Sequence, residues 1–169
     1  MFKIVFHGDI IRGNEIFNNI YDIYKDDDKT SLKDRVLNIN YIGKYIENAR
    51  WTINFQMYNT CNKDFYASSR PSALSVVSYF VLLYDFNNTS KDEIIQHYGN
   101  LHNLSFNSEL DNITCIFFNS KDDEVDDVLE AIKNVNKKAN ITIIREKEVS
   151  LIMTRDVLSH IYTNLFKKD

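Results

Sequence analysis

The most continuous apolar run in the chain, Val76 to Tyr84 (VVSYFVLLY), is ended by Asp85, Asn87 and Asn88. It falls well short of the roughly 18 uninterrupted apolar residues that a membrane-spanning helix needs. It lacks the polar alternation of a strand with one face in water, so it is expected to be a central strand buried on both faces. Such a strand requires helices above and below it. No other segment constrains the fold as much.

The rest of the chain supplies those layers. Phe2 to His7 reads as a buried strand ended by Gly8, followed by a loop holding Gly8 and Gly13. From Asn14 onward Ile16, Ile20, Ile23 and Tyr24 recur at helical spacing. Lys25 to Asp34 is too polar to pack and reads as a solvated loop. Tyr41 to Ile46 and Trp51 to Tyr58 read as a hairpin around Glu47-Asn48-Ala49-Arg50, and Thr60 to Ser72 as irregular, with Pro71 as a breaker. Ser90 to His102 opens with the capping box Ser90 to Glu93. Ile113 to Phe118 and Ile141 to Ile144 read as strands, Asp122 to Val135 as an amphipathic helix, and Thr154 to Phe166 as a last helix capped by Thr154. The alternation predicts an α/β fold: a mostly parallel six-stranded sheet with one antiparallel edge hairpin and helices on both faces, as one domain over residues 1–169.

Composition narrows the function. With 169 residues, 44% of them hydrophobic, the chain can close a core without disulfides or metals. Its 20 Lys and Arg against 24 Asp and Glu leave no cationic field for phosphate backbones, so no nucleic-acid partner is expected. Cys61 and Cys115 show no zinc spacing and read as reduced thiols of a cytoplasmic protein. His7, His97, His102 and His160 show neither metal nor triad spacing. With only 4 glycines, a site built on bare backbone amides has few positions open to it.

Ligands of open α/β sheets bind where the strands end, which directs attention to the segments after each strand. Gly8 and Gly13 match the spacing of the P-loop pattern GxxxxGK[ST]. Tyr58-Asn59-Thr60-Cys61-Asn62-Lys63-Asp64-Phe65-Tyr66 mirrors WDTAGQERF and leads through Pro71-Ser72 to Leu83-Tyr84-Asp85. Asn119-Ser120-Lys121-Asp122 is similar to NKxD. Through these motifs the chain resembles a small GTPase of the Ras superfamily, closest in texture to the Rab branch, across almost all of its length. The resemblance implies a small G-protein-like P-loop fold.

It also implies a degenerate nucleotide pocket of Gly8, Gly13, Asn14, Glu15, Asn59, Lys63, Asn119 and Asp122. Asn14 stands for the phosphate lysine and Glu15 for the hydroxyl that holds Mg²⁺. Asn59 stands for the acid that supports the metal, Asn62 for the γ-phosphate-sensing glycine and Lys63 for the water-orienting glutamine. Val36 falls at the switch threonine, Ile10 at the small P-loop residue, and Ser120 at the lysine that stacks on guanine. A carboxylate facing a phosphate costs on the order of 4 kcal/mol. Three lost charge-assisted contacts together weaken binding by roughly 10⁴ to 10⁶. The same residues also have plain structural uses: Gly8 and Gly13 in a strand-to-helix turn, Asn119 and Asp122 as helix caps, Asn14 and Glu15 in a first helical turn.

The expectation is therefore a pseudo-GTPase without catalytic residues, metal or cofactor, acting by protein contacts in trafficking, cytoskeletal or host-directed signalling. Its partner face comprises Tyr41, Trp51, Tyr58, Phe65 and Tyr66, although Ala73 at the third position of the Rab aromatic triad departs from the family. The chain shows no prenylation or myristoylation motif, so no lipid anchor is expected. A homodimer through the hairpin edge is left open. The first alternative is a divergent GTP-binding switch with Mg²⁺ that uses Lys63 or Arg12 together with Asn119 and Asp122. The second is an unrelated α/β enzyme.

Overall fold

The computed structural model describes residues 2–33, 35–46, 49–60, 76–104 and 112–166, with side chains at all of these except 40–46, 49–53 and 104. The long apolar run forms the middle of the sheet. Strand β5 (Tyr79–Asp85) is buried at every position and lies between β1 (Phe2–Gly8) and β6 (Asn112–Phe118). Tyr79, Val81 and Leu83 enter one core and Phe80, Leu82 and Tyr84 the other, as expected for a strand covered on both faces. The strand starts later than its apolar run. Val76 is 67% exposed with φ of 55°, a left-handed conformation that a β-branched residue rarely adopts and that no strand can run through.

The remaining elements are α1 (Ile10–Tyr24), β2 (Ser31–Lys33), β3 (Val36–Ile46), β4 (Ala49–Asn59), α2 (Lys91–Leu104), α3 (Asp122–Val135), β7 (Asn140–Glu146) and α4 (Leu151–Leu165). The strand order is β2-β3-β4-β1-β5-β6-β7. β4, β1, β5, β6 and β7 run parallel in succession, while β2 with β3 and β3 with β4 are antiparallel. α1 and α4 cover one face through Ile16, Phe17, Ile20, Val157, Leu158 and Ile161. α2 and α3 cover the other through Ile94, Tyr98, Leu101, Val125, Val128 and Ile132.

The sheet has seven strands, not six. The additional strand, β2, arises from a segment expected to be a solvated loop. All three of its residues are exposed, and it is held by its backbone ladder to β3, which leaves no apolar pattern to announce it. The hairpin is present, but β3 begins at Val36, where Leu37 and Ile39 are buried and alternate with Asn38. Helix α4 begins at Leu151, one turn before the expected Thr154. Ser150 is its cap, its hydroxyl accepting the Met153 N–H at 3.0 Å. Thr154 instead lies inside the helix, donating its hydroxyl to the Ser150 carbonyl at 2.8 Å. Among the described residues, no helix is long and apolar enough to cross a membrane.

Candidate functional site

The parallel order turns about β1, with β4 on one side and β5 on the other, and the crevice beside its carboxyl end is where a ligand of such a sheet would sit. Gly8 ends β1 with φ of 131°, and a Cβ added there would lie 1.9 Å from the Leu83 carbonyl oxygen. This contact and the Asp9 N–H bond to Leu83 O at 2.8 Å explain the glycine through packing against β5. The expected glycine loop is absent. Helix α1 begins at Ile10, so the segment between Gly8 and Gly13 is its first turn, with Gly13 buried and its N–H bonded to the Asp9 carbonyl at 2.9 Å. The reason is the cap: the Asp9 carboxylate accepts the Arg12 N–H at 2.9 Å. A carboxylate therefore stands at the positive end of α1, where a phosphate would otherwise be favoured. With the helix starting this early, Asn14 and Glu15 lie beyond the first turn, and both are exposed.

Arg12, a cation at this corner, is also committed. Arg12 Nη2 and Nε donate to Asp85 Oδ2 at 3.3 and 3.4 Å, and Nη2 donates to the Lys147 carbonyl at 3.2 Å. Its guanidinium lies 4.6 Å from the centre of the Phe118 ring. The other oxygen of Asp85 accepts the Asn87 N–H at 3.0 Å and Asn119 Nδ2 at 3.1 Å. Burial alone would raise the Asp85 pKa. The bonds from Asn119, the Asn87 N–H and Arg12, with the charge of Arg12, outweigh it and hold the carboxyl below its ordinary value. Asp85 thus ties α1 to the segments that follow β5 and β6, and Arg12 extends the link to the chain that leads into α4.

The residues expected to recognise a base are engaged in a similar way. Asn119, at φ of 55°, gives its amide to Asp85. Asp122 pairs with Arg145, which also donates to Ser120 Oγ at 3.1 Å and to the Ser120 carbonyl at 2.9 Å. Asn14 and Asn59 are brought together, Asn59 Nδ2 donating to Asn14 Oδ1 at 2.9 Å. Tyr58 is half-buried, its hydroxyl donating to Gln56 Oε1 at 2.8 Å and Lys3 Nζ lying 4.8 Å from its ring centre. Tyr41 lies in β3 and Trp51 in β4, while Cys61, Lys63, Phe65 and Tyr66 lie outside the described residues.

Two residues that spacing did not single out belong to this corner. His7 is buried with Nδ1 2.8 Å from Thr60 Oγ1, and that hydroxyl donates to the Phe6 carbonyl at 2.8 Å. The hydroxyl proton being used, Thr60 must accept from Nδ1–H, which assigns the neutral tautomer. Burial, then the nearby His97, push the His7 pKa down to about 4 against the opposing pull of a hydrogen bond to the Thr60 backbone. The other is Asp85 itself: a carboxylate directly after the most apolar strand must find partners, but the sequence does not say which.

Two clefts open at this edge of the sheet, one of about 670 Å³ lined by His7, Asp9, Asn87, Asn88, Glu93 and His97, and one of about 770 Å³ lined by Asn119, Ser120, Arg145, Lys147 and Ser150. The Arg12–Asp85 pair touches the walls of both, through Asn87 and through Lys147. Among the described residues no group of three or more His, Cys, Asp or Glu is arranged to hold a metal ion. A comparison with known protein families finds no match, and a comparison with curated proteins finds none either.

Proposed function

We propose that this chain is a pseudo-GTPase: a Ras-like domain of Rab texture that has given up its nucleotide and works as a protein-interaction module. The observation that carries this reading is the start of α1 at Ile10, under the carboxylate of Asp9. Phosphate binding at a P-loop depends on a run of free backbone amides and a lysine. Here the Arg12 and Gly13 amides are bonded to Asp9, Asn14 takes the lysine's place, and Arg12 is held by Asp85 and Lys147. The alternative in which Arg12 supplies the missing charge requires that clasp to break. The partner face is the hairpin β3–β4 with the segment that follows it, carrying Tyr41, Trp51, Tyr58, Phe65 and Tyr66.

Heat release of the purified protein's contents onto an ion-exchange column tests the nucleotide half of the reading. No guanine nucleotide is expected, and no rise in melting temperature with Mg²⁺ and GTP. Near-stoichiometric GDP or GTP would instead establish the switch alternative. The partner half is tested by recovery of bound proteins on the intact chain against one carrying Trp51→Ala and Phe65→Ala. Equal recovery from both overturns the assignment of that face.

A further inference from the structure

Strand β7 is the last strand on its side of the sheet, and its pairing shows which backbone groups remain open. The Asn119 N–H donates to the Glu146 carbonyl, with Phe118 opposite Glu146 in the ladder. In a parallel ladder alternate residues turn both N–H and C=O to the same neighbour. Asn140, Thr142, Ile144 and Glu146 therefore bond toward β6, while Ile141, Ile143 and Arg145 direct their groups to the outer edge. Among the described residues no strand pairs with that edge.

Open edges are normally protected by shortness, proline, a bulge or a central lysine. The opposite edge, β2, has three residues and ends in Lys33. β7 has seven, its register with β6 is unbroken, it contains no proline, and its central residue is Ile143, β-branched and 41% exposed. Charge is divided along it. Lys137 and Lys138 precede the strand; Glu146 closes it, with Lys147 and Glu148 beyond. Arg145 at the acidic end is already paired with Asp122. A second copy running antiparallel sets Lys137 and Lys138 beside the end that carries Glu146 and Glu148, with Lys147 between them, whereas a parallel arrangement opposes Lys137 and Lys138 to their own copies.

We propose that β7 is a homodimer interface, pairing antiparallel with β7 of a second copy about a two-fold axis at Thr142. Outward-facing residues must oppose outward-facing residues, which limits the axis to a residue position. At Thr142, Ile141 lies opposite Ile143 of the partner copy and exchanges two hydrogen bonds with it, and the symmetric pair doubles these. Thr142 faces its own copy at the close, non-bonded position, a favourable cross-strand pair. Carried past the strand into the turn that precedes it, the same register brings Lys138 to Glu146 of the partner copy and Lys137 to Lys147, each twice. Moving the axis to Ile143 sets Ile141 against Arg145, twice, and leaves a single contact between isoleucines, Ile143 with its own copy, in place of two. The interface uses neither the nucleotide corner nor the hairpin, so it stands or falls independently of the pseudo-GTPase reading.

Sedimentation velocity of the intact chain over a concentration series is expected to show a reversible monomer–dimer equilibrium. Ile143→Pro removes an outward N–H without touching the β6 ladder and is expected to leave monomer. Lys138→Glu is expected to weaken the dimer about tenfold, and adding Glu146→Lys to recover it, because the pair re-forms with its signs exchanged. If Ile143→Pro fails to fold, the charge exchange on exposed side chains decides alone. A wild-type monomer at every concentration overturns the proposal, as does a dimer that Lys138→Glu leaves intact or that the double exchange does not restore.

Discussion

Asp85 has a side chain only 5% exposed and Arg12 one 17% exposed, so their pair is largely removed from water and each partner depends on the other. Arg12→Met keeps the stem over Phe118 and deletes the charge; it is expected to cost about 1.5 to 3 kcal/mol at neutral pH by urea unfolding. The pH dependence follows from the direction of the Asp85 shift. Its folded pKa lies below the ordinary 3.8, so its contribution is complete above that value and is lost as the pH falls through the lower folded value. The gap between wild type and Arg12→Met should therefore close in that acid range. A gap that persists unchanged there would detach the effect from Asp85. His7 acts in a higher window. Above pH 6.5 it is neutral folded and unfolded, and its burial carries no protonation penalty. As the pH falls from 6.5 to about 4 only the unfolded chain takes up the proton, so stability declines by on the order of 3 kcal/mol. A titration of the ring by NMR and the loss of this slope in His7→Asn check both halves of the argument. Of this corner, the polar residues at the strand ends could be read from the chain. The choice of Arg12 as the partner of Asp85, 73 residues away, could not, because nothing local selects it.

At the scale of the element, legibility follows burial. β5, β6 and α3 declare themselves because their apolar positions face a core on both sides or along one stripe. β2 has no buried residue and is invisible to any hydrophobic pattern. The start of α1 was obscured by its glycines: read as turn residues, they hide Asp9 as cap and place the helix four residues late. Two alanine substitutions separate the uses of glycine. Gly8→Ala forces a Cβ against the Leu83 carbonyl at a φ that L-residues rarely adopt, and should destabilise by about 3 kcal/mol or more in chemical unfolding. Gly99→Ala, inside α2 with nothing within 4 Å of the added carbon, should stabilise by about 0.5 to 1 kcal/mol. If Gly8→Ala unfolded at the wild-type midpoint, the close approach of β1 and β5 would not be what requires the glycine.

For the molecule as a whole, the proposed loss of nucleotide binding has two explanations that can be told apart. In one, the fold keeps its phosphate loop and only the residue types are missing. In the other, the chain after Asp9 is already helix, its Arg12 and Gly13 amides are bonded to Asp9, and that acid repels an incoming phosphate. Restoring the side chains alone, as Asn14→Lys with Glu15→Thr, distinguishes them. If residue identity were the obstacle, the cation and hydroxyl would return several kcal/mol of charge-assisted contact. Because the helix already begins at Ile10 and both positions lie beyond its first turn, the new lysine has no loop to work with. The double variant is expected to melt at the same temperature with and without Mg²⁺ and GTP, and to release no nucleotide on heating. A concentration-dependent rise in its melting temperature would show that the helix start yields readily to a ligand, and that the side chains rather than the backbone keep phosphate out.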